Sequence, residues 1–408
     1  MNVTIRPKKL KGEVTVPPSK SVAHRLVIAA ALSKGTSVVR NLSFSKDITA
    51  TVNAMRALGA EIEISGDTAV IKGIEKEPEK AVIDCCESGS TLRFLIPVAC
   101  ALGVETTFLG QGKLPQRPIT PYLEELPRHG AEFDYNGTMP FTVKGKLKSG
   151  EYRIGGDISS QFVTGLLFAL SVIDGESRLV LTSPLQSKPY VDITADCLSK
   201  CGVNVRKVQD GYAVGSGEMH AFEEAVEADY SQAAFFFVAN SLGSEICINE
   251  LNKNSCQGDK KIVEICREIV YNKNGGLRPF VLDCSDIPDL VPILAVLASF
   301  CEGTSRIENA ARLRIKESDR LEAVTVSLNA LGGKVTAGSD FLEIQGVGGL
   351  SGGSVDCFND HRIAMAMAVA ATRSSMPVTL IGAQCVEKSY PDFFEVYQAL
   401  GADIDIDK

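Results

Sequence analysis

Along this chain, almost wholly apolar stretches alternate with amphipathic ones, and the alternation recurs. Six apolar stretches, 19–35, 88–103, 159–175, 231–243, 286–303 and 360–375, each begin in polar residues and end at a small residue before a strand-like run. Their ends, Gly35, Gly103, Gly175, Gly243, Gly303 and Ser375, follow one another at intervals of 60 to 72 residues. An amphipathic series interleaves with them and stops at a glycine before a short strand, at Gly59, Gly130, Gly202, Gly332 and Gly401, with Gly275 as a weaker sixth member. Glycine at such stops suits a left-handed helix cap. Asp47, Thr120-Pro121 and Ser389-Tyr390-Pro391-Asp392 signal the starts of that series.

Each repeat therefore predicts two helices with strands between them. A helix that is apolar on every side has to be buried. The simplest architecture is α/β: two similar domains, each burying three parallel apolar helices under sheets and amphipathic helices, with the chain changing domain near 227–229. A closed pseudo-threefold domain is expected rather than an open array of repeats; two unrelated α/β domains with accidental spacing are the alternative.

Composition narrows the function. The 408 residues are 45% hydrophobic and 23% charged, as expected of a globular chain, and the formal net charge of −8 removes any role resting on a bulk positive field, such as nucleic-acid binding. The first eighteen residues hold Arg6, Lys8, Lys9 and Lys11 but no apolar run of signal-peptide length, and no stretch reaches the roughly 18 apolar residues that cross a membrane. A cytoplasmic protein without membrane or nucleic-acid partners is expected. Twelve cysteines without a Cys-x-x-Cys, beside only four histidines, read as packed thiols rather than disulfides or a metal site. Phosphate-loop and dinucleotide signatures are missing, and the glycine-rich run 346–353 reads as a hairpin.

Cations stand where helix dipoles disfavour them. Lys20 and Arg25 open the first apolar stretch, Arg93 follows Ser88-Gly89-Ser90, and His361-Arg362 open the sixth. Taken singly, each is a cap or a surface residue. Several on symmetry-related helices make convergent anion sites from backbone N–H groups, hydroxyls and fixed charge. Arg117 between prolines, Ser187-Lys188 before an amphipathic helix, and "RLRIKESDR" add to this, with Lys316 and Arg320 four apart on an expected helical face and Glu317 beside them. In "DIPDLVP", one of Asp286 and Asp289 is expected to cap the following helix and the other to face the cations. An acidic protein with such a cleft suits a substrate carrying phosphate and carboxylate.

The segments "PPSKSVAHR", "ESGSTLRF", "LPQRPI", "ISSQFVTGLL", "SKPYVDIT", "DIPDLVP", "IKESDRL", "NDHRIAMA" and "EKSYPDFF", in this order from Pro17 to Phe394, resemble the 5-enolpyruvylshikimate-3-phosphate synthases. The related UDP-N-acetylglucosamine enolpyruvyl transferases usually carry a cysteine in the loop that here reads "GQGKLPQRP". The resemblance implies two domains, 17–228 and 1–16 plus 229–408, each of three βαβαββ units in an inside-out α/β arrangement. The active site would lie in the cleft between them, with shikimate 3-phosphate mainly on the first domain and phosphoenolpyruvate mainly on the second.

It also implies transfer of an enolpyruvyl group between those substrates by addition and elimination, in a monomer, with no cofactor and no metal. Asp289 would take the proton of the acceptor hydroxyl, and Glu317 and Lys20 would serve the methylene. Ser21, Arg25, Ser159, Ser160, Ser187 and Lys316 align with shikimate 3-phosphate contacts. Gly89, Arg117, Arg320, Arg362 and Lys388 align with phosphoenolpyruvate contacts, and Gln161 with both. Glu87 and Arg312 stand where relatives commonly have asparagine. Transfer to another hydroxyl acceptor such as a UDP-sugar, noncatalytic anion binding, and a structural repeat scaffold are the competing readings.

Overall fold

The computed structural model describes residues 1–215, 217–269 and 276–407, so the expected cap at Gly275 lies outside the described residues. The chain forms two compact units, Pro18–Glu227, and Met1–Pro17 together with Ala228–Lys408.

Within Pro18–Glu227 the helices are α1 (Lys20–Leu32), α2 (Lys46–Ala57), α3 (Gly89–Leu102), α4 (Thr120–Glu125), α5 (Ser160–Ser171) and α6 (Lys188–Lys200). The apolar α1, α3 and α5 are buried along most of their length, as their all-round hydrophobicity requires. Serines start all three: Ser19, Ser88 and Ser159 accept from the N–H groups of Val22, Thr91 and Gln161 at 3.4, 3.1 and 3.3 Å. Gly103 ends α3 in the left-handed region at φ 77°. Three four-stranded sheets cover the helices. Each repeats one order, a parallel first pair followed by two antiparallel neighbours, as in Lys80–Asp84, Glu105–Leu109, Phe141–Gly145 and Ala131–Asp134. Their strands alternate buried and exposed positions, so one face of each sheet packs on the helices.

The other unit repeats the plan with α7 (Tyr230–Ser241), α8 (Ile262–Ile269), α9 (Val291–Ser299), α10 (Arg320–Ala330), α11 (His361–Ala371) and α12 (Phe393–Ala399). Here α7, α9 and α11 pack on one another in the core. Two more four-stranded sheets have the same order, and a parallel pair joins Glu245–Asn249 to Lys11–Thr15. The strand Asn2–Arg6 lies between Val378–Ile381 and Asp403–Asp407, antiparallel to both. Helices inside and sheets outside, with no closed barrel among the described residues, make this the inside-out α/β architecture that the family resemblance implies and that agrees with the repeat pattern.

Several local expectations need correction. α7 starts before Ser231, because Asp229 accepts from Ser231 N at 2.8 Å and Gln232 N at 3.3 Å and is the cap. Pro288–Leu290 forms a 3-10 turn ahead of α9, so neither Asp286 nor Asp289 caps that helix. Asp47 sits inside the first turn of α2 rather than in front of it. The glycine-rich run 346–353 is no hairpin: it connects Leu342–Gln345 to Gly353–Asp356, which belong to different sheets.

Candidate active site

In Pro18–Glu227 the first turns of α3 and α5 lie side by side and their polar groups interlock. Gln161 at the start of α5 accepts from Arg93 Nη1 at 2.8 Å and donates to Ser90 Oγ at 3.0 Å. The Cα of Gly89 faces Arg117, whose Nη1 would stand 2.6 Å from any added Cβ, with Gln161 Oε1 at 3.6 Å. Only glycine lets that guanidinium approach the start of α3 so closely. Arg25 spans three elements, donating to Thr194 Oγ1 (2.8 Å), Ser21 O (2.7 Å), Thr164 Oγ1 (3.3 Å) and Tyr190 O (2.9 Å). Burial lowers its pKa to about 10, and four of its five N–H groups are spent on protein partners. Lys20, next to the Ser19 cap, pairs with Asp47 Oδ2 at 2.9 Å.

Ser159 caps α5, Ser160 opens it and is buried, and Ser187 precedes α6 at φ 55°, a left-handed conformation costly for a residue with a side chain. Glu87 braces the loop that carries Arg117: its carboxylate crosses Gly112, where an added Cβ would meet Oε2 at 2.6 Å.

In the other unit, charges converge on one guanidinium. Arg320, 2% exposed, donates to Asp360 Oδ2 through Nε at 2.8 Å, to Asp289 Oδ1 through Nη1 at 2.8 Å and to Glu317 Oε2 through Nη2 at 2.8 Å. Arg362 reaches the second oxygen of Asp289 at 3.2 Å and also Ser231 Oγ at 2.8 Å. Lys316 Nζ lies 3.8 Å from Asp289 Oδ1, and Lys388 Nζ donates to Asn359 O at 2.9 Å, next to Asp360.

Lys316 has extended backbone after a 3-10 turn, Glu317 lies in the bend that follows, and α10 begins only at Arg320 behind the cap Asp319, so the expected shared helical face does not exist. Folding back at Ser318 brings the side chains together instead. Arg312 is mostly buried and donates to the carbonyls of Cys284 (3.4 Å) and Ser285, backbone of the loop that leads to Asp289.

The electrostatics follow from this packing. Burial pushes the Asp289 carboxyl up, but Arg362, Lys316 and Arg320 override it and hold it well below the usual carboxylate range. Burial pulls Lys316 down to about 8 against the opposing pull of Asp289. Arg320 resists the same desolvation and stays well above its ordinary value because Asp360, Glu317 and Asp289 surround it.

Sequence reasoning overlooked Asp360, Ser318, Ser231 and Asp229. Asp360 was visible in "NDHR" as a helix start, but nothing in the sequence pairs it with Arg320, forty positions earlier. No cluster of three or more His, Cys, Asp or Glu placed to hold a metal occurs among the described residues, and no helix among them is long and apolar enough to cross a membrane.

The sequence pattern of the family described as EPSP synthase (3-phosphoshikimate 1-carboxyvinyltransferase) matches residues 5–397. A 3-phosphoshikimate 1-carboxyvinyltransferase of Clostridium kluyveri is 46% identical over 420 residues, covering 99% of this chain and 98% of that one. One from Clostridium novyi is 42% identical over 427 residues, with the same coverage. A solved EPSP synthase of Acinetobacter baumannii superposes with a TM-score of 0.84 at 26% identity, covering all of both chains.

Proposed function

The chain belongs to the EPSP synthase family, and from that premise we propose how its own residues divide the reaction. The enzyme is a 3-phosphoshikimate 1-carboxyvinyltransferase: it moves the enolpyruvyl group of phosphoenolpyruvate onto the 5-hydroxyl of shikimate 3-phosphate and releases phosphate, a step of aromatic amino-acid biosynthesis. The chemistry requires a proton on the enol methylene, attack of the hydroxyl on the resulting cationic carbon, and loss of phosphate with a methyl proton from the tetrahedral ketal. A base near the hydroxyl and an acid near the methylene are needed.

In our reading Asp289 receives the hydroxyl proton, and Glu317 and Lys20 exchange the methylene proton. Ser21, Arg25, Ser159, Ser160, Ser187 and Lys316 hold shikimate 3-phosphate. Gly89, Arg117, Arg320, Arg362 and Lys388 hold phosphoenolpyruvate, and Gln161 meets both substrates. The unit Pro18–Glu227 serves mainly the first substrate and the other unit mainly the second, with the working form a cytoplasmic monomer.

The observation that carries this division is that Asp289 and Glu317 share one guanidinium, that of Arg320, each at 2.8 Å. A strongly held carboxylate is a weak base. Phosphoenolpyruvate brings anionic groups that compete for Arg320 and Arg362, which loosens their grip on Asp289 and raises its basicity when the acceptor is present. Phosphate release on mixing phosphoenolpyruvate with shikimate 3-phosphate, and none with UDP-N-acetylglucosamine, tests the acceptor. Asp289→Ala should lower turnover by about a hundredfold or more, within the range ascribed to general acid–base catalysis, while both substrates still bind; unchanged turnover removes Asp289 as the base.

A further inference from the structure

Beneath the start of α3 a line of short hydrogen bonds joins three helices. His24 Nδ1 of α1 and Thr51 Oγ1 of α2 are 2.7 Å apart, Thr51 Oγ1 and Thr91 Oγ1 of α3 are 2.7 Å apart, and Thr91 Oγ1 donates to Ser88 Oγ, the α3 cap, at 2.7 Å. All four residues are buried.

The last bond fixes the direction of the others by counting protons. A threonine hydroxyl has one proton. That of Thr91 goes to Ser88, so Thr91 accepts from Thr51, and Thr51 must accept from His24. His24 therefore carries a proton on Nδ1, and burial, which lowers its pKa to about 3, keeps the ring neutral. Its Nε2 lies without a partner, and the ring stands edge to face with Phe94 at 6.4 Å. Ser88 Oγ also accepts from Thr91 N at 3.1 Å, so both hydrogen bonds it receives come from the first turn of α3.

Thr51 is four residues after Asp47, on the same face of α2. Through Asp47 that face holds Lys20 at the start of α1, and through Thr51 it holds the start of α3, where Gly89 meets Arg117. We propose that the Asp47/Thr51 face of α2, with the directed array His24–Thr51–Thr91–Ser88, is a splint that fixes Lys20 and the Gly89 amide at the spacing phosphoenolpyruvate requires. This rests on the functional reading above. Thr51 is thus a positioning residue of the phosphoenolpyruvate site, although it touches no substrate. The array gives this histidine, neutral at ordinary pH, a role: an imidazole in one tautomer starts the chain of donors, which an apolar residue of that shape could not do.

The test uses the whole enzyme with Thr51→Val and Thr51→Ser. Thr51→Val keeps the shape and removes the hydroxyl. Of the two hydrogen bonds lost, only that to Thr91 reaches the start of α3, so KM for phosphoenolpyruvate is expected to rise by about fivefold, with KM for shikimate 3-phosphate and kcat within about twofold of the parent. Thr51→Ser restores the donor and should restore KM. A purely structural role would lower the melting temperature without separating the two KM values. Thr51→Val that leaves KM for phosphoenolpyruvate within twofold, that raises both KM values alike, or that Thr51→Ser fails to rescue, overturns the proposal. Should Thr51→Val not fold, Thr51→Ala carries the same expectation and the same refutations. Failure of the functional reading looks different: the parent enzyme itself would release no phosphate from the two substrates.

Discussion

Replacing Asp360 by asparagine alters one atom and reverses several contacts. The carboxylate is wholly buried and accepts from Arg320 Nε (2.8 Å) and Nη2 (3.4 Å), Ser318 Oγ (2.9 Å) and Arg362 N (3.0 Å). An amide offers one acceptor oxygen where two stood, and turns its own N–H groups toward donors. It also leaves the buried guanidinium short of one negative charge. Breaking a buried ion pair from one side costs about 3 to 5 kcal/mol, a large share of the roughly 5 to 15 kcal/mol that holds a domain folded. With a urea slope of about 2 to 3 kcal/mol/M, the unfolding midpoint should fall by about 1 to 2.5 M.

Urea melts followed by circular dichroism at neutral pH read this directly, with Glu245→Gln, which removes one half of an exposed pair with Lys11, as a control that should leave the midpoint in place. The pH dependence carries its own sign. Burial raises the Asp360 carboxyl, but Arg320 outweighs it and holds the group below its ordinary value. Its contribution is therefore present above the unfolded pKa near 4 and is lost as pH falls through the folded value, so parent and variant should converge in acid. A variant indistinguishable from the control at neutral pH refutes the assignment of Asp360 as the anchor of Arg320.

Two further outcomes are expected. Lys316, lowered to about 8 first by burial, loses its charge in the folded enzyme as pH rises through that value; KM for shikimate 3-phosphate should climb above about pH 8 in the parent and stay flat in Lys316→Arg, and a flat parent profile counts against Lys316 as a contact. Arg312→Leu removes the donors to the Cys284 and Ser285 carbonyls and should reduce kcat by about tenfold, by loosening the loop before Asp289, with KM for phosphoenolpyruvate little changed; a kcat within twofold leaves Arg312 as packing only.

Helix existence was legible because its cause is local. Apolar residues on every face, a serine in front and a small residue behind announce α1, α3 and α5 without any partner in view. α9 was misjudged at its start because Pro288 and Pro292 favour a helix entry equally well in α and 3-10 geometry. The pairing of Lys316 with Arg320 on one face failed for a related reason: a period of four presumes a helix, and Ser318 and Asp319 interrupt it. Asp360, Ser231 and Thr51 act through contacts with residues dozens of positions away, and their types, cap-forming aspartate, serine and threonine, are ordinary near helix starts. Arg25 is legible in the sequence as a cation near a helix start, but the four donors it gives to α1, α5 and α6 are not, because their partners lie as far as 169 positions away.

The strand Asn2–Arg6 is hydrogen-bonded along its length to Asp403–Asp407, with Asn2 opposite Asp407. During synthesis Asn2–Arg6 is thus made some four hundred residues before one of its two neighbours and must wait for it to find its place. Pro18–Glu227 is contiguous and can close while the remainder is still being translated. Deleting Asp403–Asp407 would therefore uncover Asn2–Arg6 as well, and should be tolerated far less well than the exposure of those residues suggests.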